Sequence, residues 1–208
     1  MTARPLSVTA TLSPGFTDPV HQGQQVFRAV MMALARPGRP TALETFALKP
    51  PAPLTPALAA MALALADYDT PLWLDPALAR TDAVGQFLKF HTGAPVVTSP
   101  LEATFALISD ARTLPALSGF ALGTLEYPDR STTLLIGVDS FTGGKAVTLT
   151  GPGIETTQPL RISPVPVTFW DQAEDNTRLF PRGVDMVFAA GNEIVGLPRS
   201  TTITRSEA

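Results

Sequence analysis

With 208 residues, 45% of them hydrophobic and only 16% charged, the chain suits one domain that buries a substantial core without disulfides. A formal charge of −3 offers no basic stripe for a nucleic-acid backbone. The absence of cysteine excludes thiolate catalysis, Cys-ligated zinc and iron–sulfur ligation, and is compatible with a reducing cytoplasm.

The N-terminal MTARPLSVTATLSPGF lacks the uninterrupted apolar core of a secretory signal. Residues 1–15 read as a loose arm, and 16–208 as a single domain. Asp18-Pro19 is placed to cap a helix running to about Ala35, whose stripe Phe27, Val30, Met31 and Leu34 has the spacing of a core-facing side. Arg36-Pro37-Gly38 stops it. A short strand follows around Thr41–Leu43, then an extended, proline-rich connector from Lys49 to Pro56. Thr55-Pro56 opens a second helix over Ala57 to Ala66, the longest apolar run. It is about half the length needed to span a bilayer, so it reads as a buried helix of a soluble protein.

Leu72-Trp73-Leu74 reads as a buried strand, and Thr81-Asp82 opens a third helix ending near His91. Further strands are expected at Pro95–Val97, Thr104–Ile108 and Thr132–Val138, and a helix over about Val165 to Glu174. Near the end, VDMVFAA and EIVGL flank Gly191-Asn192, a two-residue hairpin of the type that begins with glycine. Strands alternating with helices early and hairpins late give an α/β domain with a mixed sheet flanked by helices.

The stretch Thr142–Ile154, TGGKAVTLTGPGI, resembles a phosphate cradle at first sight. A P-loop needs a glycine five residues before Gly144, where Asp139 stands, and a hydroxyl after Lys145, where Ala146 stands. Alternating Val147–Thr150 follows where a helix is required, so the glycines read as corners of a hairpin. Asp67 and Asp69 could divide their pKa values as an acid–base pair. Equally they could bond local backbone at a helix end, and they precede a strand rather than follow one. His91 completes a stripe with Val84, Phe87 and Leu88, which suits a hydrogen-bonded core residue near a helix C-terminus as well as a ligand. His21 sits in a polar stretch, and with no third ligand at recognisable spacing a His-based metal site is not expected. Ser118 and Ser140 lack a nucleophile elbow. Asp185 is the one charge in its strand. Two-residue alternation puts it on the face opposite Arg199, so an ion pair is not expected, and Arg199 is left as an anion contact or a solvated strand end.

Five phrases in order carry a resemblance: Gln24–Gly38, Ala66–Leu74, Phe90–Val97, Thr142–Ile154 and Phe180–Thr201. Together the chain resembles the H subunits of the bacterial carbon–phosphorus lyase system, PhnH, from about Phe16 onward. The resemblance implies a fold similar to the large domain of pyridoxal-phosphate-dependent transferases, without that cofactor, and a cytoplasmic homodimer. It implies partnership with the G, I and J subunits in a complex that transfers a phosphonate to the ribose C1 of ATP and releases adenine. No cofactor and no metal are expected on this chain. A Schiff-base lysine would have to be Lys49, Lys89 or Lys145, none in a recognisable phosphate-cup context. Two functional readings follow. One is an assembly subunit, catalytic only indirectly. The other is a nucleotide- or phosphonate-binding domain with its own anion site, for which Asp67, Asp69, His91, Asp185 and Arg199 are the candidates.

Overall fold

A computed structural model describes residues 12–205. Its centre is a seven-stranded sheet of β1 (Thr41–Ala42), β2 (Leu72–Leu74), β3 (Val96–Val97), β4 (Phe105–Ile108), β5 (Thr133–Gly137), β8 (Asp185–Ala190) and β9 (Glu193–Leu197). The strand order is β1-β9-β8-β5-β4-β2-β3. From β8 to β3 neighbouring strands run parallel, while β9 pairs antiparallel with both β8 and β1. The mixed sheet expected from the sequence is therefore present. Its central strands are apolar runs rather than alternations because both faces are covered.

Those faces feed two cores. Leu107, Leu135 and Val187 pack with helices α1 (Pro19–Ala35), α2 (Pro56–Leu65) and α4 (Asp82–Thr92). Their neighbours Ala106, Ile108, Leu134, Ile136, Met186 and Phe188 point the other way, toward α5 (Phe169–Arg178) and a second sheet. A four-residue helix, α3 (Pro76–Ala79), follows β2 and was not foreseen. Among the described residues no helix is long and apolar enough to cross a membrane.

The second sheet corrects the reading of Thr142–Ile154. It has three strands, β6 (Val147–Thr150), β7 (Gln158–Leu160) and β10 (Thr202–Arg205), in the order β10-β6-β7. Gly151–Gly153 does lie in a hairpin connection, because β6 and β7 pair antiparallel. The Gly143-Gly144 corner does not: the strand before it, β5, belongs to the large sheet, so the chain crosses there from one sheet to the other.

Two helices also depart from expectation. Asp18 caps α1, accepting from the His21 N–H, but the helix is rolled relative to the expected stripe. It buries Val26, Val30 and Ala33, whereas Phe27 and Met31 are 49% and 48% exposed. The cause is Gly196 on β9. A Cβ there would lie 2.4 Å from the Ala33 carbonyl oxygen, so the absence of a side chain lets the small side of the helix press onto the sheet. Helix α5 begins at Phe169, four residues later than expected. Pro164 and Pro166 keep the intervening residues out of helical geometry, and the Phe169 N–H closes a turn on the Pro166 carbonyl.

The β8–β9 hairpin is as read, with Ala190 opposite Glu193 and Gly191 at φ +56°. The expected N-terminal arm falls partly outside the described residues. Its last part is anchored, since the Ser13 carbonyl accepts from His91, and just beyond it Phe16, the first residue of the expected domain, stacks edge-on against Phe46.

Candidate functional site

In an open α/β sheet, strand carboxyl ends and the loops that follow them form the crevice where ligands bind. Here β2 leads to β3 on one side and the chain then returns to β4 on the other, so the direction of winding reverses between β2 and β4. Each of the strands β2, β4 and β5 is followed closely by an aspartate: Asp75, Asp110 and Asp139.

Asp75 closes the reversal point. It is fully buried, and one carboxylate oxygen accepts the Leu78 N–H at 2.8 Å, capping α3. The other accepts both the N–H and the hydroxyl of Ser109 at 2.6 Å. This carboxylate ties the end of β2 to the end of β4 and has no room for a ligand.

One strand over, a cleft of about 420 Å³ remains open. Ser109, Asp110 and Arg112 line it beyond β4, Gly137 at the end of β5 with Val138 and Asp139 just beyond, and Thr55–Ala57 at the start of α2. A side chain at Gly137 would collide with the Ser109 carbonyl at 2.5 Å, which explains the glycine at the cleft floor. The Arg112 guanidinium bridges two loops, donating to Asp110 at 3.0 Å and to Asp139 at 2.6 Å. Hydrogen bonds to Asp110 and then to Asp139 raise the Arg112 pKa above its ordinary value. The lining holds no histidine or lysine, and Arg112 offsets only one of its two carboxylates, Asp110 and Asp139, leaving the recess net negative. Chemically it is a hydrogen-bonding recess without a nucleophile–base pair. Among the described residues no group of three or more His, Asp or Glu is placed to hold a metal ion.

The residues singled out from the sequence do not converge on this cleft. Asp67 forms a local turn, its carboxylate accepting the Asp69 N–H at 2.9 Å and the Thr70 hydroxyl at 3.0 Å. Both aspartates precede β2, at the edge of the sheet opposite the cleft. Asp185 starts β8 at that same edge but three strands away, about 14 Å by ordinary strand spacing. His91 lies on α4, where Nε2 donates to the Ser13 carbonyl at 2.9 Å and the ring meets Phe87 and Phe90 edge-on. The three lysines are also elsewhere. Lys89 donates to the Gly93 carbonyl, Lys145 borders the small sheet, and Lys49 is exposed in the connector.

The expected separation of Asp185 and Arg199 is overturned. Arg199 Nη2 lies 2.6 Å from Asp185, Nε donates to the same carboxylate at 3.1 Å, and the Arg199 N–H donates to it at 2.8 Å. Strand alternation lapses because β9 ends at Leu197 and a turn closes from the Thr201 N–H to the Pro198 carbonyl. That turn swings Arg199 onto the face of Asp185. Its other N–H groups reach the carbonyls of Pro128 and Pro181 and the hydroxyl of Ser131. A guanidinium carries five N–H donors, and all are engaged within the chain.

Asp75, Asp110, Arg112 and Asp139 were missed from the sequence. A signal did exist: Leu74-Asp75, Ser109-Asp110 and Val138-Asp139 each place a carboxylate just past a strand of apolar residues.

The chain matches the model of the family described as "Bacterial phosphonate metabolism protein (PhnH)" over residues 14–204. It is 44% identical over 193 residues to the alpha-D-ribose 1-methylphosphonate 5-triphosphate synthase subunit PhnH of Rhizobium meliloti (strain 1021), covering 93% of this chain and 96% of that protein. It is also 38% identical over 101 residues to the putative C-P lyase subunit protein HtxG of Stutzerimonas stutzeri, covering 49% of this chain and 51% of that protein.

Proposed function

Because the chain belongs to the PhnH family of bacterial phosphonate metabolism, we propose that it serves as an assembly subunit of a carbon–phosphorus lyase core complex. In this reading it joins the G, I and J subunits in the cytoplasm, as a homodimer, and supports transfer of a phosphonate to the ribose C1 of ATP with release of adenine. Its α/β architecture is read as a relative of the large domain of pyridoxal-phosphate-dependent transferases whose open cleft has no lysine on its lining.

The observation that carries the assembly role is the outer face of α1. Val20, Phe27 and Met31 repeat along it at helical spacing and are exposed, and with Leu63 and Ala64 they border a groove of about 540 Å³. An apolar row on a 17-residue helix that already has a buried side is the composition of a subunit contact rather than of a solvated face.

The test is co-expression with the G, I and J subunits, comparing wild type with Met31→Glu and Phe27→Glu. Since both side chains are half exposed, the folded chain is expected to retain its thermal midpoint while co-purification and complex turnover fall together. The isolated chain is expected to show no turnover with ATP and a phosphonate. Assembly and turnover that are equal with and without the chain would end this reading.

A further inference from the structure

Two guanidinium groups stand at the junction of α1 with the small sheet, around a polar cleft of about 380 Å³. Arg36 and Arg39 supply one wall, and Glu155, Thr156, Thr157 and Gln158, from the β6–β7 connection, supply the other. Among the described residues neither arginine side chain has a hydrogen-bond or ion-pair partner, in contrast to Arg112, Arg178, Arg199 and Arg205.

The two walls pack closely at two glycines. A Cβ at Gly153 would lie 2.1 Å from the backbone carbonyl oxygen of Ala35, and one at Gly38 would lie 2.6 Å from the Leu149 side-chain Cδ1. Both glycines are in the left-handed region, at φ +82° and +74°. Gln158 adds a bond across the junction, from its side-chain amide to the Gly38 carbonyl at 3.4 Å. The Gly38 N–H meanwhile donates to the Gly196 carbonyl of β9, so the turn carrying both arginines is fixed to the large sheet as well.

We propose that this cleft binds a multiply charged phosphate- or phosphonate-class oxyanion, held by Arg36 and Arg39 with the Thr156 and Thr157 hydroxyls as additional donors. Guanidinium forks match tetrahedral oxyanions bidentately, and threonine hydroxyls serve the remaining lone pairs. Glu155 and the C-terminal end of α1, about half a negative charge, oppose the anion but do not cancel two full positive charges. The excess is about half a positive charge, so the preference for a multiply charged oxyanion rests on the number of guanidinium and hydroxyl donors it can engage. This site is separate from the carboxylate-lined cleft at the strand ends and from the outer face of α1, so it extends the assembly role without depending on it.

Calorimetric titration of the full chain with inorganic triphosphate at low salt tests the site, with orthophosphate and a poly-glutamate peptide as comparison ligands. One saturable site for triphosphate is expected, weaker for orthophosphate and weaker still for the peptide. Arg36→Gln and Arg39→Gln should each reduce affinity roughly tenfold, the loss expected for one charge-assisted fork. Glu155→Gln should raise affinity, and Arg80→Gln, on another part of the surface, should leave it unchanged. The arginine side chains are exposed, so unchanged thermal midpoints show that these variants remain folded. No binding at millimolar triphosphate overturns the proposal, as does affinity retained in the double variant. Tighter binding of the poly-glutamate peptide also overturns it, because the cleft would then be a dock for an acidic protein segment.

Discussion

The two edges of the parallel strands each carry an arginine between carboxylates or carbonyls, but the two arginines are held very differently. At the amino-terminal edge the Arg199 side chain is 13% exposed and Asp185 21%, and every guanidinium N–H is committed to Asp185, Ser131 or a loop carbonyl. At the carboxyl-terminal edge the Arg112 side chain is 55% exposed and spans two loop aspartates above a cleft. The first arrangement ties together three segments, the loop at Pro128–Ser131, the stretch from Pro181 to Asp185, and the turn that carries Arg199. The second offsets one of two carboxylate charges at the mouth of a recess and leaves the arginine free to re-pair. Proximity of opposite charges is common to both, so what separates architecture from an available site is how many donors remain and how much water reaches them.

Removing Arg199 should therefore break the molecule more than any other single charge. Arg199→Ala leaves Asp185 largely buried beside unfilled carbonyls, a loss of about 4 kcal/mol by the behaviour of partly buried pairs broken on one side. Arg199→Lys should recover less than half, because an ammonium cannot span the four acceptor groups of the fork. Urea unfolding midpoints measure both. A shift of less than about 1 kcal/mol for the alanine variant, the level of an exposed pair, would erase the contrast between the two edges.

The next largest effect belongs to the helix–sheet contact that joins these edges to α1. Gly196→Ala meets a backbone oxygen of Ala33 that cannot swing aside, and should cost about 3 kcal/mol, the upper range for overpacking. Gly23→Ala, on the same helix but with nothing within 4 Å, should instead stabilise by about 1 kcal/mol through helix propensity alone. Opposite signs in thermal unfolding are the expected result. Equal effects would remove the explanation offered for the roll of α1.

This contact also shows where the sequence could be read and where it could not. Leu72–Leu74, Phe105–Ile108 and Thr133–Gly137 were legible as strands because burial on both faces makes them continuous apolar runs, and Gly191-Asn192 was legible because turn chemistry is local. The facing of α1 was not. Phe27, Val30, Met31 and Leu34 form as good a stripe as Val26, Val30 and Ala33, and only the glycine on β9, more than 160 residues later, selects the second. The Asp185–Arg199 pair failed for a related reason, since two-residue alternation was carried past Pro198, where the strand had already ended. Of the strand-end cleft, the individual signals were present in Asp75, Asp110 and Asp139. What joined the last two was the order of strands, which periodicity does not encode.

Below these comes the Arg112 bridge. Arg112→Ala should leave the urea midpoint indistinguishable from wild type, because both ion pairs are solvated and screened. A large loss of stability here would mean that the carboxyl-terminal edge is clamped like the amino-terminal one, and the two edges would no longer differ in kind.

The smallest effect is a pH-dependent one at the start of α1, and it sharpens the same contrast. Asp18 accepts the His21 N–H at 3.2 Å and lies 2.6 Å from the His21 ring nitrogen. The backbone bond first, and the side-chain bond second, lower its pKa below the ordinary 3.8. A carboxyl whose folded pKa is depressed contributes stability that is fully present above its unfolded value and is lost as pH falls through the folded one. The difference in thermal midpoint between wild type and Asp18→Ala should therefore close as pH falls below 3.8. Because both partners are exposed, molar salt should shrink the charged part of that difference while leaving the Arg199→Ala loss nearly intact. If salt reduces both losses in the same proportion, the Asp185–Arg199 pair is solvated, and burial does not account for its hold on the amino-terminal edge.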